Sequence, residues 1–277
     1  MSAAAVRCGV YVPNFGALGS ARAVAAVARA AEDAGWDGVF VWDHVVRREG
    51  DVDLVDPWIA LAAAAAATDR VTLGPLVVPL ARRRPWNVAK AAVSLDHLSA
   101  GRAVLGVGLG TTRGPEFSAF GEETDPRRRG DLVDEGLEII RAAWSGEPVH
   151  HRGHWTLDGP RFLPRPLGPL PIWGACESLR GRPVRRAARL DGVFPIGIIP
   201  EEVPELLAAV AEAAGGEVPA GYQVVTSVGA GSPHRRDGLD RPEAWEGSGL
   251  TWWLHVIDWD RPLDAALATL AAGPPGR

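Results

Sequence analysis

The chain has 277 residues, of which 47% are hydrophobic and 23% are charged, as in an ordinary globular protein. The formal net charge is −5, and the arginines are scattered among acidic residues, which argues against nucleic-acid binding through a basic stripe. The longest apolar run, residues 59–67, is too short for a membrane span, which needs about 20 residues.

The two cysteines, Cys8 and Cys176, are far apart in the sequence and have no metal-binding spacing. Free thiols are typical of reducing compartments, so we expect a cytoplasmic protein without disulfides.

Short apolar runs alternate with helical patterns along the first part of the chain. Strands are predicted over residues 6–12, 38–42, 71–78 and 102–107. Ser20 and the pair Asp56-Pro57 are start signals for the first two helices, and Gly35 is a stop signal for the first. The third helix is predicted over residues 86–98.

A segment rich in Gly, Pro, Thr and charged residues follows the fourth strand, over residues 108–130. A loop of this length inside a compact domain is usually functional or disordered. A helix is then predicted over residues 131–144, and a hairpin or extended excursion over residues 150–157.

The last part of the chain repeats the alternation. Strands are predicted over residues 170–175, 192–196, 222–229 and 250–257, and helices over residues 183–190, 201–214 and 262–271. A seventh helix, within residues 235–249, has the weakest pattern. Eight strand–helix units predict an α/β protein with a single (β/α)8 barrel domain over residues 1–277, since this fold typically needs about 250 residues. A doubly wound open sheet is the alternative.

Five motifs, in this order, resemble those of the luciferase-like monooxygenases and the F420-dependent oxidoreductases. They occupy residues 35–44, 56–58, 68–74, 95–108 and 187–195. The resemblance implies a bacterial-luciferase-like (TIM) barrel and an oxidoreductase or monooxygenase that uses the flavin FMN or the deazaflavin F420. The substrate would be a small organic molecule.

Asp43 and His44 directly follow the second predicted strand, and the chemistry of such barrels lies at the carboxyl ends of the strands. The resemblance implies that this pair contacts the redox ring or its substrate, because an imidazole can transfer protons near neutral pH. The pair is more similar to the F420 branch than to the flavin branch, which slightly favours F420. The alternative is that the two side chains only cap the following loop.

Glu116, in the long loop, is a third candidate for catalysis, as an acid or a substrate contact. The alternative is a solvent-exposed loop carboxylate.

The resemblance implies that further strand ends hold the cofactor. Val77 and Val78, where the family often has a bulge or a non-proline cis peptide, would support the ring unless they are ordinary strand core. Small and hydroxyl-bearing residues after strands four, five and six would let the backbone approach the ring and its phosphate. These are Gly108, Gly110, Thr111, Gly174, Ala175, Cys176, Ser178 and Gly197, with Arg180 or Arg182 adding charge. A simple turn is the alternative for each loop.

Other functions fit the sequence less well. A non-catalytic flavin-binding protein would keep the phosphate site without a productive substrate pocket. A metal-dependent barrel hydrolase would carry His-x-His on the first strand, which is absent from Val10-Tyr11-Val12. No metal site is expected at His150, His151 and His154, because adjacent residues of a strand point to opposite faces. The expected partners are a small-molecule substrate, a separate flavin or F420 reductase, and a second copy in a homodimer.

Overall fold

Parallel strands form a closed ring in the computed structural model, which describes residues 5–47, 50–228 and 238–276. A separate antiparallel hairpin is formed by the sixth and seventh strands in chain order. The strands are β1 (Arg7–Val12), β2 (Gly38–Val41), β3 (Thr72–Pro75), β4 (Val78–Pro79), β5 (Leu105–Gly108), β6 (His150–Arg152), β7 (Thr156–Asp158), β8 (Ile172–Cys176), β9 (Gly192–Pro195), β10 (Gln223–Val228) and β11 (Trp252–Val256).

The barrel has eight strands, because β3 and β4 are two parts of one interrupted strand. Neighbouring strands follow the order β3-β2-β1-β11-β10-β9-β8-β5-β4. The N–H group of Val104, next to β5, donates to the carbonyl of Leu73 in β3 at 2.8 Å and closes the ring. The predicted barrel is therefore confirmed, and the open sheet is wrong.

Helices follow most strands and cover the outside of the barrel. They are α1 (Ala21–Asp33), α2 (Pro57–Ala67), α3 (Pro85–Leu98), α4 (Pro126–Trp144), α5 (Arg182–Ala187), α6 (Val203–Ala214) and α7 (Leu263–Ala271). The predicted caps form as expected: the Ser20 hydroxyl accepts the N–H of Ala23, and the Asp56 carboxylate accepts the N–H groups of Trp58 and Ile59.

Three predicted elements differ in the structure. Helix α4 begins at Pro126 and not at residue 131, because Asp125 caps it just as Asp56 caps α2. The third strand is interrupted where the Leu76–Val77 peptide bond is cis. Residues 235–237 of the seventh predicted helix lie outside the described residues, and residues 238–249 contain only the short 3-10 helix Pro242–Trp245.

The apolar core has an inner and an outer part, as alternation along the strands requires. Side chains that point into the ring fill it, among them Phe40, Trp173, Phe194 and Trp252. Val39, Val41 and Val193 point outward and pack beneath the helices. The barrel interior is therefore solid protein, and a ligand of substantial size has to bind at an end of the ring.

Side chains at the amino end of the barrel tie neighbouring strands together. The Asp37 carboxylate, just before β2, accepts the N–H of Cys8 in β1 at 2.7 Å. Asp191 accepts the N–H of Ile172 in β8 at 2.8 Å, and the Thr251 hydroxyl accepts that of Val224 in β10 at 2.9 Å. Each bond fixes the register of two strands, which aligns their carboxyl ends at the opposite rim.

A buried carboxylate at the same end gives a test of stability. The Glu32 side chain is 1% exposed and accepts the N–H groups of Asp69, Arg70 and Val71 at 2.6–3.1 Å. Burial by itself raises the pKa of Glu32, but these N–H groups and the charge of Arg70 lower it overall.

We expect Glu32→Gln to lower the free energy of unfolding at pH 7 by about 1–3 kcal/mol, because an amide cannot accept all these bonds. A lowered pKa stabilises the fold above the ordinary carboxyl range and loses that effect as the pH falls through the folded-state value. The difference between wild type and Glu32→Gln in urea denaturation should therefore shrink as the pH falls below about 4.5. A difference that stays constant with pH would contradict this account.

Candidate active site at the carboxyl rim of the barrel

The carboxyl end of the ring presents a half-buried apolar surface. This surface comes from four different strands of the barrel. Tyr11 lies in β1, Val77 between β3 and β4, Ala175 in β8 and Ile196 just after β9, and all four pack on the inner core. Two of the predicted cofactor contacts, Val77 and Ala175, are therefore brought together at the rim. Val78, by contrast, is fully buried in the outer core beside α3, so its side chain is strand core.

His44 and Glu116 form a bonded pair at this rim. The Nδ1 atom of His44 lies 2.8 Å from Oε2 of Glu116, and the N–H of Val45 donates to Oε1 at 2.7 Å. The Glu116 residue is 4% exposed, so the interpretation of a solvent-exposed loop carboxylate is wrong. The structure thus joins two of the three residues predicted for catalysis.

The contacts of His44 define one tautomer. Nη1 of Arg47 lies 3.0 Å from Nε2 of His44, and a guanidinium can only donate hydrogen bonds. Nε2 is therefore the acceptor, and Nδ1 carries the proton that it donates to Glu116. In this arrangement the accepting nitrogen of the imidazole is turned away from the carboxylate.

Burial raises the pKa of Glu116, but the contact with His44, the N–H of Val45 and the charge of Arg82 outweigh burial and lower it below the ordinary value. Glu116 is therefore an anion at neutral pH. An ionised carboxylate bonded to Nδ1 is suited to orient an imidazole, as in other acid–base sites.

Asp43, the third predicted residue, is 4% exposed and is held by two arginines that the sequence analysis missed. Arg82 Nη2 lies 3.1 Å from Asp43 Oδ1, and Arg83 Nη2 lies 2.6 Å from the same oxygen. Arg82 also donates to the Asp43 carbonyl at 2.7 Å. The available signal was the run of three arginines, residues 82–84, directly after the third strand.

A buried arginine of α4 holds the long loop over the rim. Arg129, which is 6% exposed, donates from Nη1 to the carbonyls of Leu109 and Gly110 at 3.2 and 2.9 Å. Its guanidinium carbon lies 5.1 Å from the centre of the Phe117 ring, which is fully buried. Phe117 lies next to Glu116 in the long loop between β5 and α4, so this contact anchors the loop segment that carries Glu116.

Gly108, the last residue of β5, and Gly110 just after it are explained by packing within the protein. A Cβ on Gly108 would lie 2.7 Å from a methyl carbon of Val77. Gly110 has a φ of +75°, and a Cβ there would lie 2.7 Å from Pro79. Thr111 is exposed, and its hydroxyl accepts the N–H of Arg113.

The predicted phosphate turn after β8 has mixed orientations. Cys176 points outward into the core beneath the helices, and burial raises the pKa of its thiol to about 12, so the thiol is neutral. A Cβ on Gly174 would contact Ala187 and Leu190. Ser178 is exposed, and Gly197, two residues after the end of β9, has a φ of +79°.

The two arginines expected to add charge near this turn form ion pairs with carboxylates of the protein. Arg180 pairs with Glu205 at 2.7 Å, and Arg182 pairs with Asp131 and Asp134 at 2.6 and 2.7 Å. Arg129 is an alternative cation for a phosphate, because it bonds to the loop after β5 and the charge of Glu177 acts on it.

The histidines of the hairpin point in different directions, as expected. His151 bonds to Glu135 of α4 at 2.9 Å, whereas His150 is largely exposed. Among the described residues, no group of three or more His, Cys, Asp or Glu side chains is placed to hold a metal ion. Within the same ranges, no helix is both long enough and apolar enough to cross a membrane.

Known proteins resemble the chain in sequence and in structure. The family model for luciferase-like monooxygenases matches residues 5–248. An F420-dependent glucose-6-phosphate dehydrogenase of Beutenbergia cavernae is 36% identical over 153 residues, which cover 53% of this chain and 45% of that protein. The matches to the first curated relatives span about half of their length, for example 57% of an uncharacterized protein of Mycobacterium tuberculosis.

Two solved structures share the fold. An F420-dependent secondary alcohol dehydrogenase in complex with an F420-acetone adduct superposes with a TM-score of 0.76 at 17% identity, covering 97% of this chain and 99% of that one. The oxygenating constituent of 3,6-diketocamphane monooxygenase from Pseudomonas putida, in complex with FMN, has a TM-score of 0.65 at 22% identity, covering 80% and 67%.

The buried pairing of Asp43 gives the second test of stability. We expect Asp43→Ala to lower the free energy of unfolding by about 3–5 kcal/mol, because it removes the carboxylate that the buried guanidinium of Arg82 and the partly buried one of Arg83 share. Glu123→Ala is the matched control: its partner Arg128 is 76% exposed, and the loss should be at most about 1 kcal/mol. Equal losses for the two variants in urea denaturation would contradict the assigned role of Asp43.

Proposed function

Because the chain belongs to the luciferase-like monooxygenase family, we propose that it is an oxidoreductase that binds F420 or FMN at the carboxyl rim of its barrel. Residues 1–277 would act as one catalytic domain on a small organic substrate. The observation that carries the proposal is the His44–Glu116 pair beside the half-buried apolar surface of the rim. Trp42 links the two, because its ring centre lies 5.3 Å from that of Tyr11 and 5.8 Å from that of His44.

The residues at the rim fit a flat heteroaromatic ring. The apolar surface formed by Tyr11, Val77, Ala175 and Ile196 suits one face of an isoalloxazine. Oδ2 of Asp43 is buried and has no partner among the described residues, so it can accept a hydrogen bond from a ligand. A ring held here would lie within reach of His44.

When bound, such a cofactor supplies the hydride or oxygen chemistry, and the protein supplies binding, orientation and proton transfer. His44 presents the lone pair of Nε2 while Glu116 holds the Nδ1 proton. This geometry suits a base that takes a proton from the substrate and later returns it. Arg47, which donates to Nε2, would have to give way to a substrate hydroxyl.

The charged tail of the cofactor would lie across the strand ends after β5 and β8. Arg129 supplies a buried cation there, and the backbone around Gly108, Gly110, Ala175 and Gly197 supplies small residues. Ser178 supplies an exposed hydroxyl, and Gly174 and Cys176 contribute through their backbone. Thr111 lies at the outer edge of this surface.

The relatives favour F420 slightly over FMN. A curated relative at 36% identity is described as F420-dependent, and an Asp–His pair at this strand end is what the resemblance implied for that branch. With F420, the reaction would be hydride transfer to or from the substrate. With FMN, it would be monooxygenation, and a separate reductase would supply the reduced flavin.

The surface of α2 supports the proposed homodimer. This helix, residues 57–67, has no charged side chain, and its Ile59 is 59% exposed. A helix that is apolar all round normally has another surface against it. A second copy of the chain would bury it.

The cofactor assignment can be tested with the purified apoprotein. We expect FMN or F420, but not FAD, to raise the melting temperature, because a ligand that binds the native state stabilises it by mass action. His44→Ala should keep this thermal shift while kcat falls by about 10²- to 10⁴-fold, the usual contribution of a general acid–base group.

Three results separate the alternatives to this proposal. No thermal shift with any of the three cofactors would exclude a flavin or deazaflavin enzyme. A shift without turnover of any alcohol, aldehyde or ketone, and without oxygen consumption, would favour a non-catalytic flavin-binding protein. An unchanged kcat in His44→Ala would exclude His44 as the base.

The dimer can be tested independently of the chemistry. We expect Ile59→Arg to convert a dimer into a monomer in light scattering, because it places a charge in the apolar interface. Val218→Arg is the control: this residue is 36% exposed and lies in the connection after α6. A wild-type monomer, or an Ile59→Arg dimer, would contradict the assignment of this surface.

A further inference from the structure

Two consecutive arginines contact the rim, but only one of them reaches both carboxylates. Arg82 and Arg83 each donate to Oδ1 of Asp43. Arg82 also lies 3.6 Å from Oε1 of Glu116, and its side chain is 5% exposed. The side chain of Arg83 is 20% exposed.

The positive charge of Arg82 offsets the repulsion between two buried carboxylates. The side chains of Asp43 and Glu116 are 0% and 5% exposed, and Nη2 of Arg82 lies 3.1 Å from Oδ1 of Asp43 and 3.6 Å from Oε1 of Glu116. Two buried carboxylates that share a site repel each other, and without a cation one of them takes up a proton. A protonated Glu116 would accept the His44 proton less strongly, and the tautomer would no longer be fixed.

We propose that Arg82 is a positioning residue that keeps Glu116 ionised and aligned on His44. The contacts of Arg82 in the described residues are with Asp43 and Glu116 and not with the imidazole, so it acts through the carboxylate. This inference deepens the proposed function and rests on it for its effect on catalysis. Its effect on Glu116 needs neither cofactor nor substrate.

The groups that face Glu116 come from two further segments of the rim. After β2, His44 and the N–H of Val45 bond to its two oxygens, and Asp43 lies beyond Arg82. After β4, Arg82 faces Oε1. Arg47 contacts the far side of His44. Arg82 is the cation in this set that approaches the carboxylate itself, which makes it the residue to change.

The experiment follows the carboxyl carbon of Glu116 by NMR in protein labelled with ¹³C-glutamate, with Glu116→Gln to identify the signal. In wild type, the titration midpoint should lie below the ordinary range of about 4.3. In Arg82→Met it should rise by about one pH unit or more, as expected when an opposite charge within 4–6 Å is removed. In Arg82→Lys, which keeps the charge, the rise should be smaller.

Arg83→Met is the matched control, because it removes a donor from Asp43 and leaves the cation beside Glu116 in place. Its Glu116 midpoint should equal that of wild type. The ¹⁵N shifts of the His44 imidazole provide a second readout: Arg82→Met should mix the two tautomers, whereas Arg83→Met should keep Nδ1 protonated.

With the cofactor and a turned-over substrate, kcat of Arg82→Met should fall about tenfold or more with little change in KM, since a mispositioned base slows the chemical step. Equal Glu116 midpoints in wild type and Arg82→Met would overturn the inference. If Arg82→Met does not fold, Arg82→Gln replaces it and must show the same rise. A wild-type midpoint in or above the ordinary range would also overturn it.

The inference and the proposed function fail in different ways. If no cofactor binds, but the Glu116 midpoint still rises in Arg82→Met, the electrostatic role stands and the oxidoreductase assignment fails. If the cofactor binds and turns over substrate equally well in wild type and Arg82→Met, the role of Arg82 fails and the oxidoreductase assignment stands.

Discussion

The arrangement of the rim depends on the cost of burying charge. A carboxylate withdrawn from water is stable only with a cation or several hydrogen-bond donors beside it. Asp43, Glu116 and Arg82 are distant in the sequence, and the buried guanidinium of Arg82 contacts both buried carboxylates. The bonds among them hold the segment after β2, the segment after β4 and the long loop after β5 in one arrangement, and His44 is oriented by that arrangement.

The barrel provides the frame in which such a network can form. Alternation along the strands fills the ring with large side chains, so ligands are excluded from its interior. At the rim the same alternation presents the side chains of Tyr11, Val77, Ala175 and Ile196. The charged network stands beside this apolar surface. An acid–base pair and a surface for an aromatic ring are thus neighbours because of strand geometry.

Much of this organisation can be predicted from the sequence, for physical reasons that also show where prediction fails. Asp43 and His44 follow a buried strand, and the carboxyl ends of parallel strands share one edge, so their position was predictable. Glu116 lies in a loop without periodicity, and neither its burial nor its bond to His44 can be predicted from a local pattern. Arginine runs are usually solvated, so the burial of Arg82 was not expected. The outward orientation of the Cys176 side chain follows from strand alternation, because its neighbour Ala175 points inward.

The hydrogen bonds that Asp37, Asp191 and Thr251 accept from N–H groups near the start of neighbouring strands have a consequence for how this protein can diverge. They join neighbouring strands at the end of the barrel opposite the candidate site. The loops of the opposite end can then be exchanged or lengthened without loosening the strands beneath them. A protein descended from this chain could therefore acquire a different substrate through new loops at that end, while the strands beneath them stay unchanged.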